Sequence, residues 1–110
     1  VYMDVEMYAL IFYVPEAHLD EVTQAVFSAG AGRIGAYAGC CWYTKGKGIF
    51  TARFGAQPHI GKVGELVVVD ECRVELFSPP EGLESVIAAL KLAHPYERPV
   101  YQVTQPVLGP

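Results

Sequence analysis

The chain has 110 residues, a formal net charge of −4 and a hydrophobic content of 52%. That length predicts one domain with a core large enough to need no disulfide staples. The acidic balance argues against a general nucleic-acid binder, and no apolar run reaches the roughly 18–20 residues of a membrane span.

Cysteine usage sharpens this. Three cysteines, two adjacent and none in a C-x-x-C pair, exclude a disulfide framework and point to a reducing cytoplasm. Residues 1–6 are expected to be a leader, with Met7 as the natural start. The domain is expected over 7–105, with a loose tail at 106–110.

The run MYALIFYV (7–14) predicts a strand apolar on both faces. PEAHLDEVTQAVFSAG then places Leu19, Val22, Val26 and Ala29 at helical spacing, so a helix is expected over 16–29. Pro15 and Glu16 suit its start, and His18 in the first turn is expected to face solvent. Gly30 is expected just past its end in a left-handed conformation. GAGRIG (30–35) fits G-x-G-x-x-G, but a phosphate cradle needs the order strand, glycines, helix and an acid about 20 residues on. Here the order is helix, glycines, strand, and no acid occurs between Glu21 and Glu65. The glycines therefore read as a helix stop and a tight turn.

IGAYAGCCWYT (34–44) and GIFTARF (48–54) predict two strands joined across KGKG, with Gly46 and Gly48 in the turn. Adjacent in such a strand, Cys40 and Cys41 point to opposite faces. GAQPHIGKVG (55–64) predicts a loop. ELVVVDECRVELF (65–77) predicts a long strand in which Cys72, Val74 and Leu76 alternate with Glu71, Arg73 and Glu75. Next, Ser78 and Glu81 fit a capping box with Pro79 at the first helical position. Leu83, Val86, Ile87, Leu90 and Ala93 form that helix's stripe, and Pro95 ends it at His94. RPVYQVTQ (98–105) predicts a last strand, with Pro99 at an edge.

The resulting plan is α+β, a ferredoxin-like split βαβ (βαββαβ) with two helices on one face of an antiparallel sheet and an extra β-hairpin. The doubly apolar first strand then needs cover on the open face. Packing between subunits of a homo-oligomer supplies it.

Several residues can carry chemistry. From Val22 to Gly64 the chain holds Arg33, Lys45, Lys47, Arg53 and Lys62 and no acid, which suits either an anion-facing segment or a solvated loop. Cys40 reads either as a small buried apolar side chain or as a ligand or reactive thiol. His94 and Glu97, turned towards each other by Pro95 with Tyr96 as an anchor between them, could share a pocket. His59 lies in a mobile, accessible loop. Thiolate, imidazole and carboxylate from Cys40, His59, His94 and Glu97 would suit a divalent zinc or copper ion, although no local ligand pair nucleates such a site. Ser28, Ser78 and Ser85 lie in or at the cap of helices, and none sits in a nucleophile elbow, so no catalytic residue is assigned.

GAGRIGAYAGC, GKGIF, PHIG, ECRVE and AHPYERPVYQV together resemble the PII/CutA-like domain of YqfO-type dinuclear-metal-centre proteins, from Met7 to Val103. In those proteins the domain is inserted between two metal-holding halves, and the present chain is expected to be a stand-alone version of the insert. The resemblance implies a ferredoxin-like fold that assembles as a trimer, a dimer being the alternative. It implies a non-enzymatic regulatory or sensor module that binds a small, anionic ligand or a protein partner, and neither nucleic acid nor membrane. The ligand would lie in clefts between subunits, near Gly32, Arg33, Gly35, Tyr37, Lys45, Lys47 and Arg53. A CutA-like divalent-metal-binding protein using Cys40 and His94, and a small enzyme on a ferredoxin-like fold, are the alternatives.

Overall fold

The computed structural model describes residues 7–107; the expected leader and the last three residues of the expected tail lie outside the described residues. Strand β1 (Tyr8–Pro15) buries Leu10, Phe12 and Val14 completely, whereas Ala9, Ile11 and Tyr13 on its other face are only half-buried. A 3-10 turn over Glu16–His18 leads into α1 (Leu19–Ser28), which turns Val22 and Val26 inward. The helix ends in a Schellman motif. Gly30, at φ +115°, donates its N–H to Phe27 O (3.0 Å), and Ala31 donates to Val26 O (3.1 Å).

The strand expected from residue 34 starts only at Trp42. Between them the backbone is engaged locally. Ile34 and Tyr37 exchange two hydrogen bonds around a turn, Gly32 N–H donates to Phe77 O (2.9 Å), and Cys40 N–H donates to Gly32 O (2.8 Å). These groups are not free for a ladder, so strand alternation does not govern Cys40 and Cys41. Cys40 and Cys41 both border one cleft of about 340 Å³.

The expected hairpin at KGKG is also absent: β2 (Trp42–Thr51) runs straight through it. Gly46 and Gly48 stay extended, opposite Glu71 and Val69 of β3 (Leu66–Ser78). The 13-residue β3 pairs with β2 along all ten β2 residues, and a turn at KGKG would forfeit those ladder bonds. The capping box does not form either. Ser78 is the buried last residue of β3, opposite Tyr8, and its hydroxyl donates to Pro79 O (3.1 Å). A 3-10 turn over Pro80–Gly82 then intervenes before α2 (Leu83–Ala93), which buries Val86 and Leu90. The last strand, β4 (Tyr101–Thr104), begins three residues later than expected, because residues 94–100 turn around the end of β1.

The sheet is antiparallel throughout, in the order β2-β3-β1-β4. This is the split βαβ arrangement, with two interleaved β-α-β crossovers. Both helices pack on the face that presents Leu10, Phe12, Val14, Cys72, Val74 and Leu76. Each fully buried aliphatic side chain there contributes about 1.5–3 kcal/mol. The molecule is elongated, 51 × 22 × 22 Å, with a radius of gyration of 15.3 Å. A compact chain of this length has about 13 Å. The excess comes from the ribbon of β2 and the first half of β3, which extends past the end of β1.

Candidate functional site

Pro15 ends β1 opposite Glu71, and β3 residues before Glu71 pair with β2 alone. This leaves a step in the sheet, bordered by residues 52–60 and 94–100.

His94 anchors the second segment. It is 6% exposed, and both ring nitrogens are engaged. Nε2 lies 2.6 Å from Tyr13 O, and Nδ1 lies 3.1 Å from the Tyr96 amide nitrogen. A carbonyl only accepts and an amide N–H only donates, so the proton sits on Nε2 and Nδ1 accepts. Burial pushes the His94 pKa below the ordinary histidine value, with His18 and His59 acting in the same direction. The Tyr13 carbonyl and Glu71 oppose the shift. His94 is a neutral structural pin between β1 and the 94–100 turn.

Pinned in this way, the turn carries Tyr96 to Glu71, and the phenol donates to Glu71 Oε2 at 2.9 Å. Burial, then the carboxylate, raises the Tyr96 pKa, so the hydroxyl keeps its proton. Glycine at position 48 makes room for this pair, since a Cβ there would run into the Glu71 carboxylate. Glu97 accepts from the Gln57 N–H with both oxygens (3.0 and 3.3 Å), tying the two loops together. Between them lies a cleft of about 350 Å³ whose walls include Phe50, Pro58, His59, Glu71, Tyr96 and Arg98. The Tyr96 ring meets Phe50 at 6.0 Å and His59 at 6.4 Å between centroids. His18 is half-buried rather than solvent-facing, because its ring packs edge-on against His59 at 5.4 Å.

The structure gathers His59, His94 and Glu97 at this end. Cys40 lies at the other end of β1 and β3, where Gly32, its hydrogen-bond partner, meets Phe77. No group of three or more metal-ligating side chains converges among the described residues. The expected ligand-binding residues divide in the same way. Gly32, Arg33, Gly35 and Tyr37 belong to the loop at the Cys40 end. Lys45 is paired with Glu16 at 3.0 Å and Lys47 with Asp70, while Arg53 is exposed beyond β2. Burial, and in Cys41 also the neighbouring Cys40, raises the Cys41 and Cys72 pKa values, which makes these two thiols poor nucleophiles at neutral pH.

The sequence did not single out Phe50, Arg98 or the partnership of Glu71 with Tyr96. Glu71 read as one member of a charged strand face. The only local sign was a glycine in a strand, which marks a close approach.

No family model matches the chain. It is 45% identical over 93 residues to the GTP cyclohydrolase 1 type 2 homolog of Mycobacterium tuberculosis, covering 84% of this chain and 24% of that protein. The chain thus spans about a quarter of the length of the curated relatives it matches. A Bacillus cereus protein related to NIF3 superposes with a TM-score of 0.77 at 37% identity, over 91% of this chain and 25% of that one. The divalent cation tolerance protein CutA1 of Thermus thermophilus superposes at 0.66 with 17% identity, over 94% and 87%, which shows a shared fold. The order of elements, the sheet topology and these likenesses agree: the chain is a PII/CutA-like domain of the kind carried within YqfO/NIF3-type proteins.

Proposed function

We propose that this domain is a non-catalytic, small-ligand-binding regulatory module whose ligand sits in the cleft at the step of the sheet. One observation carries the reading. Polar side chains from three separate segments, Glu71, Tyr96, His59 and Arg98 among them, converge on a cleft of about 350 Å³ with aromatic walls. That is the size and mixture of a small-molecule site. The module works as a homo-oligomer, a trimer in preference to a dimer. The open sheet face supports this, because Ile11, Trp42 and Phe77 lie there and Trp42 is 57% exposed. The cytoplasm is its compartment, in keeping with three free thiols.

Native mass spectrometry of the purified protein tests this directly, because it reports subunit count and retained small molecules together. The expected result is an oligomer carrying a bound mass that Ala56→Arg displaces. A strictly monomeric protein, or a bound mass indifferent to that substitution, would refute the reading.

A second reading, a zinc- or copper-binding module, draws on the divalent-cation name of the CutA1 neighbour and on His59 lying beside His18. Cys40 would have to come from another subunit. Metal content that falls in parallel in Cys40→Ser and His59→Ala would support it, and content unchanged in both would remove it.

A further inference from the structure

We infer that the cleft takes a small organic cation: an ammonium group on an apolar body, seated against the Glu71 carboxylate and the rings of Tyr96 and Phe50. This rests on the reading of the cleft as a ligand site and names the ligand's chemical class.

Strand β3 carries three acids, Asp70, Glu71 and Glu75. Asp70 is paired with Lys47 and Glu75 with Arg73, the latter at 3.4 Å. Glu71 is half-buried, and its one partner is the neutral phenol of Tyr96. Among the described residues no lysine, arginine or histidine forms an ion pair with it. Taking a carboxylate partly out of water is costly unless an opposite charge or several donors compensate it. One hydroxyl is weak compensation. The local architecture nonetheless holds the charge in place: the absent Cβ at Gly48 opens the space, and the His94 pin delivers Tyr96. A group held at a cost and facing a cleft is arranged for something that arrives from outside.

The surroundings select the sign of that visitor. Of the fixed charges lining the cleft, Glu71 and Glu97 are negative and Arg98 is positive, leaving one negative charge in excess. The Tyr96 phenol adds no charge at neutral pH. Phe50, Tyr96 and His59 surround the same space with ring centroids 6.0 and 6.4 Å apart, and aromatic faces attract ammonium groups. A simple anion would meet Glu71 at the inner wall. Arg98, exposed at the rim, would leave room for a distal acidic group but does not reverse the preference at the bottom.

The test is a set of NMR titrations of the full chain at one fixed pH near 8. Three probes of one shape are used: phenethylammonium, 2-phenylethanol and phenylacetate. Phenethylammonium is expected to shift the Tyr96 and Phe50 ring signals saturably, and the other two to bind at least about tenfold more weakly, since they leave the carboxylate without its counter-charge. Glu71→Gln keeps an acceptor for the Tyr96 hydroxyl but removes the charge, and should abolish the difference between amine and alcohol. If the alcohol or the acid binds as well as the amine, or Glu71→Gln leaves the preference intact, the cleft is a ligand site but not a cation site. If none of the three probes shifts the Tyr96 signals, the ligand-site reading falls and the inference with it.

Discussion

Replacing Gly32 with alanine separates conformational strain from steric strain within one loop. Gly32 has φ +77°, and a Cβ built on it lies 2.8 Å from the Phe27 ring and 3.0 Å from the Cys40 carbonyl oxygen. Gly35 has φ +56° and nothing within 4 Å of its would-be Cβ. Both substitutions meet the left-handed penalty of about 1–2 kcal/mol, partly offset by about 0.4–1 kcal/mol from the less flexible unfolded chain. Gly32→Ala meets overpacking as well, worth about 1–3 kcal/mol. The Phe27 ring packs on the core, and Cys40 O belongs to a backbone held by Gly32 itself, so neither neighbour moves freely. The expected loss is about 2–4 kcal/mol at Gly32 and about 0.5–1 kcal/mol at Gly35. At about 4 °C per kcal/mol for a chain of this size, the melting points should fall by about 8–16 °C and about 2–4 °C. Thermal unfolding followed by circular dichroism at one fixed protein concentration measures both. If the two variants melt within about 2 °C of each other, the packing argument at Gly32 is wrong.

The remaining predictions concern the site and the open face. His94 has a lowered folded-state pKa, so the unfolded chain takes up its proton at the higher pH. Stability should therefore hold above the unfolded value of 6.5 and fall as pH drops below it, by up to about 1.4 kcal/mol per pH unit until the folded pKa is reached. Protonation of Nδ1 also removes the acceptor for the Tyr96 N–H. Urea titrations across that window should show the slope in the wild type, and His94→Asn should flatten it; an unchanged slope in the variant would assign the effect to another group. Tyr96→Phe should cost about 1–2 kcal/mol in the same assay, because it leaves the half-buried Glu71 without its donor. Trp42→Lys, placed directly across from Glu75, should reduce the assembly to monomers by light scattering while leaving the far-ultraviolet spectrum intact. An oligomer of unchanged mass would show that subunits meet elsewhere.

Most of the fold was legible because local chemistry and tertiary packing point the same way. The stripes of both helices and the alternation around Cys72 rest on periodicity that burial then rewards, and Gly30 stops the first helix through the left-handed conformation that glycine adopts at little cost. The errors occurred where a residue's local preference was overruled by a distant partner. KGKG carries turn residues, but β3 offers a continuous ladder, and Glu16 and Asp70 offer carboxylates to the two lysines. Ser78 and Glu81 have capping-box spacing, but the pairing of Ser78 with Tyr8 holds it in the sheet. Cys40 and Cys41 sit in a β-prone run, yet Gly32 and Phe77 draw its backbone into a loop.

The site shows the same limit more sharply. The HPYE run was visible as a place where a pocket could form, and His94 and Glu97 do stand there, but each is engaged in holding the backbone. The charge that faces the cleft comes from Glu71, 25 residues away from the tyrosine that orients it. No spacing rule links the two. What links them is a difference in strand length: β3 has 13 residues against eight in β1, so the first half of β3 continues past Pro15 with its β1 side uncovered. The mismatch could be counted in the sequence. Its consequence could not, because it depends on β2 running unbroken beside β3, and that in turn depends on KGKG not turning. Had the chain folded back there, Gly48 would not lie beneath Glu71 and Phe50 would not face Tyr96. The site therefore follows from the one element for which local turn chemistry and long-range pairing disagree.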